Sequence, residues 1–315
     1  MRDQPSFDWN DLRYLLAIAR EGSTLAAARA LHVNQSTVQR RLSELEQRLG
    51  CALAERHPAG YRLTEQGRKL LLFAKRVEED VHALQRHAAT FDTRMSGSVR
   101  VTCSTAVAYR LTKSALLDDF HKLYPGITVT LLMTEHTLDL SKGEAEIAIR
   151  GGAARGEGLI GKKIADVPWA IYASQSYVGR HGHPMIEELD RHGIIELTGE
   201  IAGMAAAEWL PTRAPNAQIV GQASNVPSVL LAVKSGVGLA PLPVPLAELD
   251  SDLVQVFGPS PELRYPTFLF VHRDLRDIPR IAAFFEYCLA NLRPVLTGAY
   301  RTQRVGHRSP TSKGD

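Results

Sequence analysis

Leu12, Leu15, Leu16 and Ala19 recur at steps of three and four, which predicts an amphipathic helix that stops near Gly22. Ser23 stands where an N-cap belongs, ahead of an alanine-rich helix through Leu31. The residues Leu31-His32-Val33-Asn34 make a turn, and Asn34 is read as the cap of a third helix from Gln35 to Leu49, which Gly50 ends. Two helices joined by so short a turn form a helix-turn-helix, running from Thr24 to Ser43. His57-Pro58-Ala59-Gly60 then separates two short extended pieces between Glu55 and Thr64, the pattern of a hairpin or wing.

Helical spacing resumes at Thr64 and lasts to about Phe91. Leu70, Ala74, Val77, Val81, Leu84, Ala88 and Phe91 alternate steps of four and three, the a/d spacing of a coiled coil. One apolar stripe on a helix that is polar elsewhere needs a partner helix, so this segment predicts a homodimer. Met95-Ser96-Gly97-Ser98 reads as a hinge. Beyond it, extended runs at Val99–Cys103, Ile127–Met133, Ala145–Arg150, Trp169–Ser174, Val237–Ala240 and Thr267–His272 alternate with helical ones. The helical runs are Tyr109–Tyr124, Val226–Ser235 and Pro279–Leu292. Such alternation predicts an α/β region with a largely parallel sheet, long enough for two lobes. The expected division is a winged helix-turn-helix over 7–64, a linker helix over 65–94, and a two-lobed domain over 97–300. Lobe 1 takes about 97–166 and 267–296, lobe 2 about 167–266, and 301–315 forms a flexible tail.

Charge sharpens this division. Residues 29–69 hold eight Lys/Arg against four Asp/Glu, whereas 95–300 hold 18 basic against 21 acidic side chains. A polyanion partner is therefore expected for the first region only. No apolar run is long enough for a bilayer and no basic-then-apolar leader opens the chain, so neither membrane nor export is expected. Three scattered cysteines, Cys51, Cys103 and Cys288, make no disulfide framework and fit a cytoplasmic protein.

On the third helix, Val38, Leu42, Leu45 and Leu49 share the inward face. The opposite face carries Gln35, Ser36, Gln39 and Arg40 near the end that enters a major groove, with Thr37 beside them. Amide and guanidinium groups read adenine and guanine edges in pairs of hydrogen bonds. Arg41, Arg56 and Arg62, with the Ser23 hydroxyl, are expected at phosphates. The run from Gly22 to Leu42, followed by Leu45-Glu46, Leu49-Gly50, Arg56 and Leu63-Thr64-Glu65-Gln66-Gly67, resembles the N-terminal domain of LysR-type transcriptional regulators. Ala54 stands where that family usually carries Phe. The resemblance implies double-stranded DNA as partner, the helix after the wing as dimer linker, and a homotetramer of two such dimers.

Two further places combine capping groups with a helix start. They are Ser104-Thr105 after the first strand of the C-terminal region, and Ser224-Asn225 after a strand-like Gly221–Ala223. Arg150-Gly151-Gly152 adds a cation and open backbone where another strand ends, which together suit a carboxylate. Gly143-Glu144-Ala145-Glu146-Ile147-Ala148-Ile149-Arg150 and Gly236-Val237-Gly238-Leu239-Ala240-Pro241-Leu242-Pro243 resemble segments of the same family's effector domain, with Glu146 in place of the usual Asp. That domain resembles periplasmic binding proteins, and by position Ser104, Thr105, Arg150, Gly151 and Asn225 would line its cleft. No catalytic set, phosphate loop, cofactor motif or metal-ligand spacing stands out, and the dispersed His181, His183 and His192 do not make one. The expected function is a DNA-binding transcription regulator controlled by a small, anionic effector, and not an enzyme. Two alternatives stay open: a constitutive DNA-binding regulator without a ligand, and a solute-binding module fused to a DNA-binding domain.

Overall fold

The computed structural model describes residues 8–58, 60–134, 137–152 and 156–298, so the tail expected at 301–315 lies outside the described residues. The chain separates into two compact units between Gln85 and Arg86. In the first, helices α1 (Leu12–Glu21), α2 (Thr24–Ala30) and α3 (Gln35–Leu49) precede the hairpin β1 (Ala54–His57) and β2 (Gly60–Leu63) and the long helix α4 (Glu65–Ala89). Leu15, Ile18, Ala27, Val38, Leu45 and Leu53 form its core. Gly22 ends α1 in the left-handed conformation, and the Ser23 hydroxyl accepts from the Ala26 N–H at 3.0 Å, as a cap should. Asn34 holds the N-cap position of α3, but its side chain makes no capping bond. The side-chain bond at this point belongs to the next residue, whose amide, Gln35 Nε2, donates to Thr24 Oγ1 at 2.9 Å and ties α3 to α2.

The wing is held by backbone. The Tyr61 N–H donates to the Gly22 carbonyl at 2.7 Å, and Glu46 Oε1 accepts from the N–H groups of Leu53 and Ala54. A β-carbon on Gly60 would lie 2.4 Å from the Gly22 oxygen, and Gly60 has φ +126°, so only glycine fits where the wing touches the end of α1. At the start of α4, Thr64 Oγ1 accepts from the Gly67 N–H. Along α4, Ala74 is buried, whereas Leu84 is 65% exposed, as are Leu72 and Phe73 to a similar degree.

The second unit has two cores. In lobe 1, strands β3 (Gly97–Cys103), β4 (Ile127–Met133), β5 (Ile147–Gly151), β6 (Leu159–Val167) and β12 (Tyr265–His272) form one sheet in the order β4-β3-β5-β12-β6. Helices α5 (Thr105–Thr112), α6 (Leu116–Leu123) and α11 (Pro279–Thr297) cover it, with Phe120, Phe284 and Phe285 fully buried. In lobe 2, β7 (Trp169–Ser174) is the middle of a three-stranded sheet between β10 (Ala240–Pro243) and β11 (Leu253–Phe257), and β8 (Ile194–Leu197) pairs with β9 (Ile219–Ala223). Helices α7 (Gln175–His181), α8 (Ala205–Arg213), α9 (Val226–Lys234) and α10 (Val244–Ala247) complete it.

Two expectations change. The sheets are mixed rather than largely parallel: β3, β4 and β5 are parallel, but β12 runs antiparallel to both its neighbours. Lobe 2 has an antiparallel three-stranded sheet. The reason is topological, because the chain leaves lobe 1 along β6 and must return along β12. The single helix expected over Tyr109–Tyr124 is broken into α5 and α6. Thr112 and Ser114 turn their hydroxyls onto the carbonyls of Tyr109 and Leu111, and Ser114 Oγ then accepts from the Leu116 N–H to start the next helix.

Replacing Gly60 by Ala forces both the left-handed backbone and the 2.4 Å approach to relax. The expected loss is about 2 kcal/mol of stability in the DNA-binding unit, read by urea denaturation of the whole chain as an earlier first transition with the second unchanged.

Candidate nucleic-acid interface and ligand cleft

The outward face of α3 begins with Gln35 and Ser36, both exposed, and continues through half-buried Thr37 and Gln39 to exposed Arg40. No carboxylate interrupts it before Glu44. Arg40 is paired with Glu44 at 2.8 Å, one turn on, but this pair is open to water and contributes well under about 1 kcal/mol. Exchanging that carboxylate for a phosphate or a base edge therefore costs little. In the wing, Arg62 faces Glu55 and Arg56 faces Tyr61 across the hairpin, and both arginines are exposed. Arg56 Nε reaches the Tyr61 hydroxyl at 3.4 Å.

Arg41 is placed differently from its neighbour. Its Nη1 donates to Asp11 Oδ1 at 3.2 Å, and Asp8 and Glu44 stand within 4 Å. Asp11 is fully buried, and burial pushes its carboxyl above the ordinary range although Arg41 pulls it down. Asp11 Oδ2 and Arg41 Nε have no hydrogen-bonding partner among the described residues. Arg41 thus turns inward and anchors α3 to the start of α1, where the sequence suggested a phosphate contact.

Between the lobes lies a cleft of about 550 Å³. Of the residues expected there, Ser104, Arg150 and Gly151 line it. Thr105 instead faces a separate cavity of about 140 Å³ beside Tyr109 and Pro227. Asn225 closes a capping box with Ser228 at the start of α9, and its successor Val226 reaches the cleft. Glu146, the departure noted above, is not among the lining residues. Its carboxylate accepts from the Arg100 backbone N–H at 2.6 Å and from the Arg100 guanidinium at 2.8 Å, a grip on β3.

Several lining residues were not legible in advance. Arg110 on α5 borders the cleft and donates from Nε and Nη2 to the Val295 carbonyl at 3.1 Å, and burial lowers its pKa from the ordinary value. Trp169, Glu200 and Met204 line the lobe 2 side. Tyr265 lies flat against Gly151: a β-carbon there would stand 1.8 Å from Tyr265 Cε1. Thr134 and Thr267 complete the lobe 1 wall. Cys288 is fully buried in the lobe 1 core, and burial pushes its thiol upward.

Residues 9–68 match the bacterial regulatory helix-turn-helix proteins of the LysR family, and residues 92–293 match the LysR substrate binding domain. The chain belongs to the LysR family. A transcriptional regulator of Xanthomonas campestris pv. campestris is 30% identical over 191 residues, 60% of this chain and 55% of that protein. A probable regulator named LtrA of Klebsiella pneumoniae is 29% identical over 78% of this chain and 81% of its own. The fold matches full-length AphB, the virulence activator of Vibrio cholerae, with a TM-score of 0.58 at 22% identity, over 90% of this chain and 99% of that one. This LysR-type regulator thus joins a DNA-binding helix-turn-helix to an effector-binding domain, in a family of transcription regulators rather than enzymes. Among the described residues, no helix is long and apolar enough to cross a membrane.

Gly151→Ala places a methyl group inside the Tyr265 ring, which can move only toward the cleft or into the lobe 2 packing. The expected result is a loss of about 1–3 kcal/mol in the thermal unfolding of the effector-binding domain, and Tyr265→Ala in the same chain restores tolerance of the methyl group.

Proposed function

We propose that this regulator reads duplex DNA with the first two turns of α3 and grips phosphates with its wing, under control of a small anionic effector held between the lobes. The observation that carries the DNA reading is the carboxylate-free face Gln35, Ser36, Gln39 and Arg40, flanked by the exposed wing arginines Arg56 and Arg62. Thr37 and the Ser23 hydroxyl, which can still donate its proton while capping α2, add backbone contacts. Arg41 acts from behind by holding α3 in place. The effector reading is supported by the cleft itself, with the start of α5 at Ser104 and the Arg150 guanidinium on one wall.

The exposed apolar residues of α4, Leu84 among them, support a homodimer through this helix, and two dimers make the homotetramer implied by the family. The proposed site of action is the bacterial cytoplasm, where the DNA is. Effector binding selects one arrangement of the lobes, and the energy by which that arrangement favours bound DNA is the regulatory signal.

Neutral substitutions at Arg40, Arg56 and Arg62 should weaken binding to promoter fragments. They should also flatten the dependence of log affinity on log salt by about 0.9 for each phosphate contact removed. Unchanged affinity with an unchanged salt slope would refute the DNA face. Independently, Leu84→Glu should remove the α4 interface and lower the oligomeric state below the tetramer in sedimentation velocity, while each unit keeps its own unfolding transition.

A further inference from the structure

The last turn of α4 is fastened to lobe 1 by one side chain. Arg86 is the first residue of the second unit, and its side chain is only 12% exposed. Its Nε donates to Asp274 Oδ2 at 3.0 Å, and its Nη1 donates to the Ser141 carbonyl. The two acceptors sit on separate short helical turns, Arg273–Leu275 and Leu140–Lys142. Arg86 thus clamps the end of α4 to two loops of lobe 1 at once.

One of those acceptors stands beside a buried histidine. His272 is 4% exposed and caps the turn Arg273–Leu275. The Asp274 N–H donates to its Nδ1 at 3.2 Å, so that nitrogen carries a lone pair and the ring is neutral. Asp274 Oδ2, the oxygen that Arg86 uses, stands 3.3 Å from the same Nδ1. The other ring nitrogen is packed on Gly158, where a β-carbon would lie 2.5 Å away. Among the described residues, the charged groups facing the ring are Arg86 of α4, Asp274 and Arg273 of its own turn, and Asp139 ahead of Ser141. Burial, and after it Arg86, hold the imidazole below the ordinary histidine range, with Asp274 opposing them. Asparagine or serine would cap this turn without titrating near neutral pH, so proton sensitivity is what histidine adds.

We infer that His272 is a proton-operated release for the Arg86 clamp. A proton on Nδ1 removes the acceptor for the Asp274 N–H, so two N–H groups face each other and the cap opens. The new N–H turns to Asp274 Oδ2 and competes with Arg86 for it. It also sets a second cation beside the Arg86 guanidinium. Both effects free Arg86, and with it the last turn of α4. The folded chain takes up this proton less readily than the unfolded chain does. The stability that the neutral ring contributes is therefore whole above the ordinary histidine pKa and is lost as pH falls through the depressed folded value. Acid loosens the joint between α4 and the effector-binding domain whatever the cleft holds.

Deuterium exchange of the full-length chain, read by mass spectrometry, tests this. Exchange at the imidazole carbon between the ring nitrogens titrates His272 itself. Amide exchange across the last turn of α4, scaled to the unfolded-peptide rate at each pH, reads the clamp. Between about pH 7.5 and about pH 5, protection there should fall about tenfold in the parent. It should stay level in His272→Asn, whose amide oxygen keeps the cap but takes no proton. Arg86→Met should lack that protection at both pH values and should raise the His272 midpoint, because the repelling charge is gone. Over the same interval, the change in affinity for promoter fragments should differ between the parent and His272→Asn by at least about threefold. Level protection in the parent, an equal fall in His272→Asn, an unmoved midpoint in Arg86→Met, or the same affinity change in the parent and His272→Asn overturns the inference. Should His272→Asn fail to fold, the midpoint in Arg86→Met decides.

Discussion

Everything in the effector-binding domain follows from the pairing of two strands that both leave lobe 1 at one edge. β6 and β12 lie antiparallel, with Val167 opposite Tyr265 at the point where the chain passes between lobes. Because the two crossings are hydrogen-bonded neighbours, the lobes share a narrow two-stranded connection. The cavity opens beside this connection, and Val167 and Tyr265 both line it. Tyr265 packs on Gly151 on one side and on the lobe 2 core on the other. A residue at the crossing thereby registers the position of both lobes at once, which is a suitable place for a ligand-sensitive contact.

The DNA-binding unit solves a different problem, that of holding one helix face outward on a small core. Its bracing is mostly polar and close to the backbone. Gln35 is tied to Thr24, Arg41 to Asp11, Glu46 to the first wing strand, and the Tyr61 N–H to the end of α1. Apart from the Gln35 bond, which engages a residue of the outward face itself, each tie fixes a residue beside that face. The incomplete Asp11–Arg41 pair is the costly member, because a buried charge without full hydrogen bonding weakens the fold that it positions.

How legible each part was depends on the range of the forces that made it. The helix-turn-helix was readable because its signals are local: Gly22 and Gly50 end helices, Ser23 caps one, and apolar spacing defines an inward face. The helix α4 was readable for the same reason. The antiparallel return of β12 was not, because strand order depends on which segments meet after long excursions. Thr267 escaped notice by the same logic. Asn34 misled because it occupies the cap position with the right backbone while making no side-chain bond, the local bracing being done by Gln35.

The bond from Gln35 to Thr24 carries one more implication. On the proposed DNA reading, the amide nitrogen of Gln35 is committed to α2, and its carbonyl oxygen is the group left to accept amino protons in a groove. Operator preference would then be partly encoded by a residue buried one helix away. Loss of the Thr24 hydroxyl would free that amide to rotate, and a broader repertoire of tolerated sites would follow with no exchange of any residue on α3.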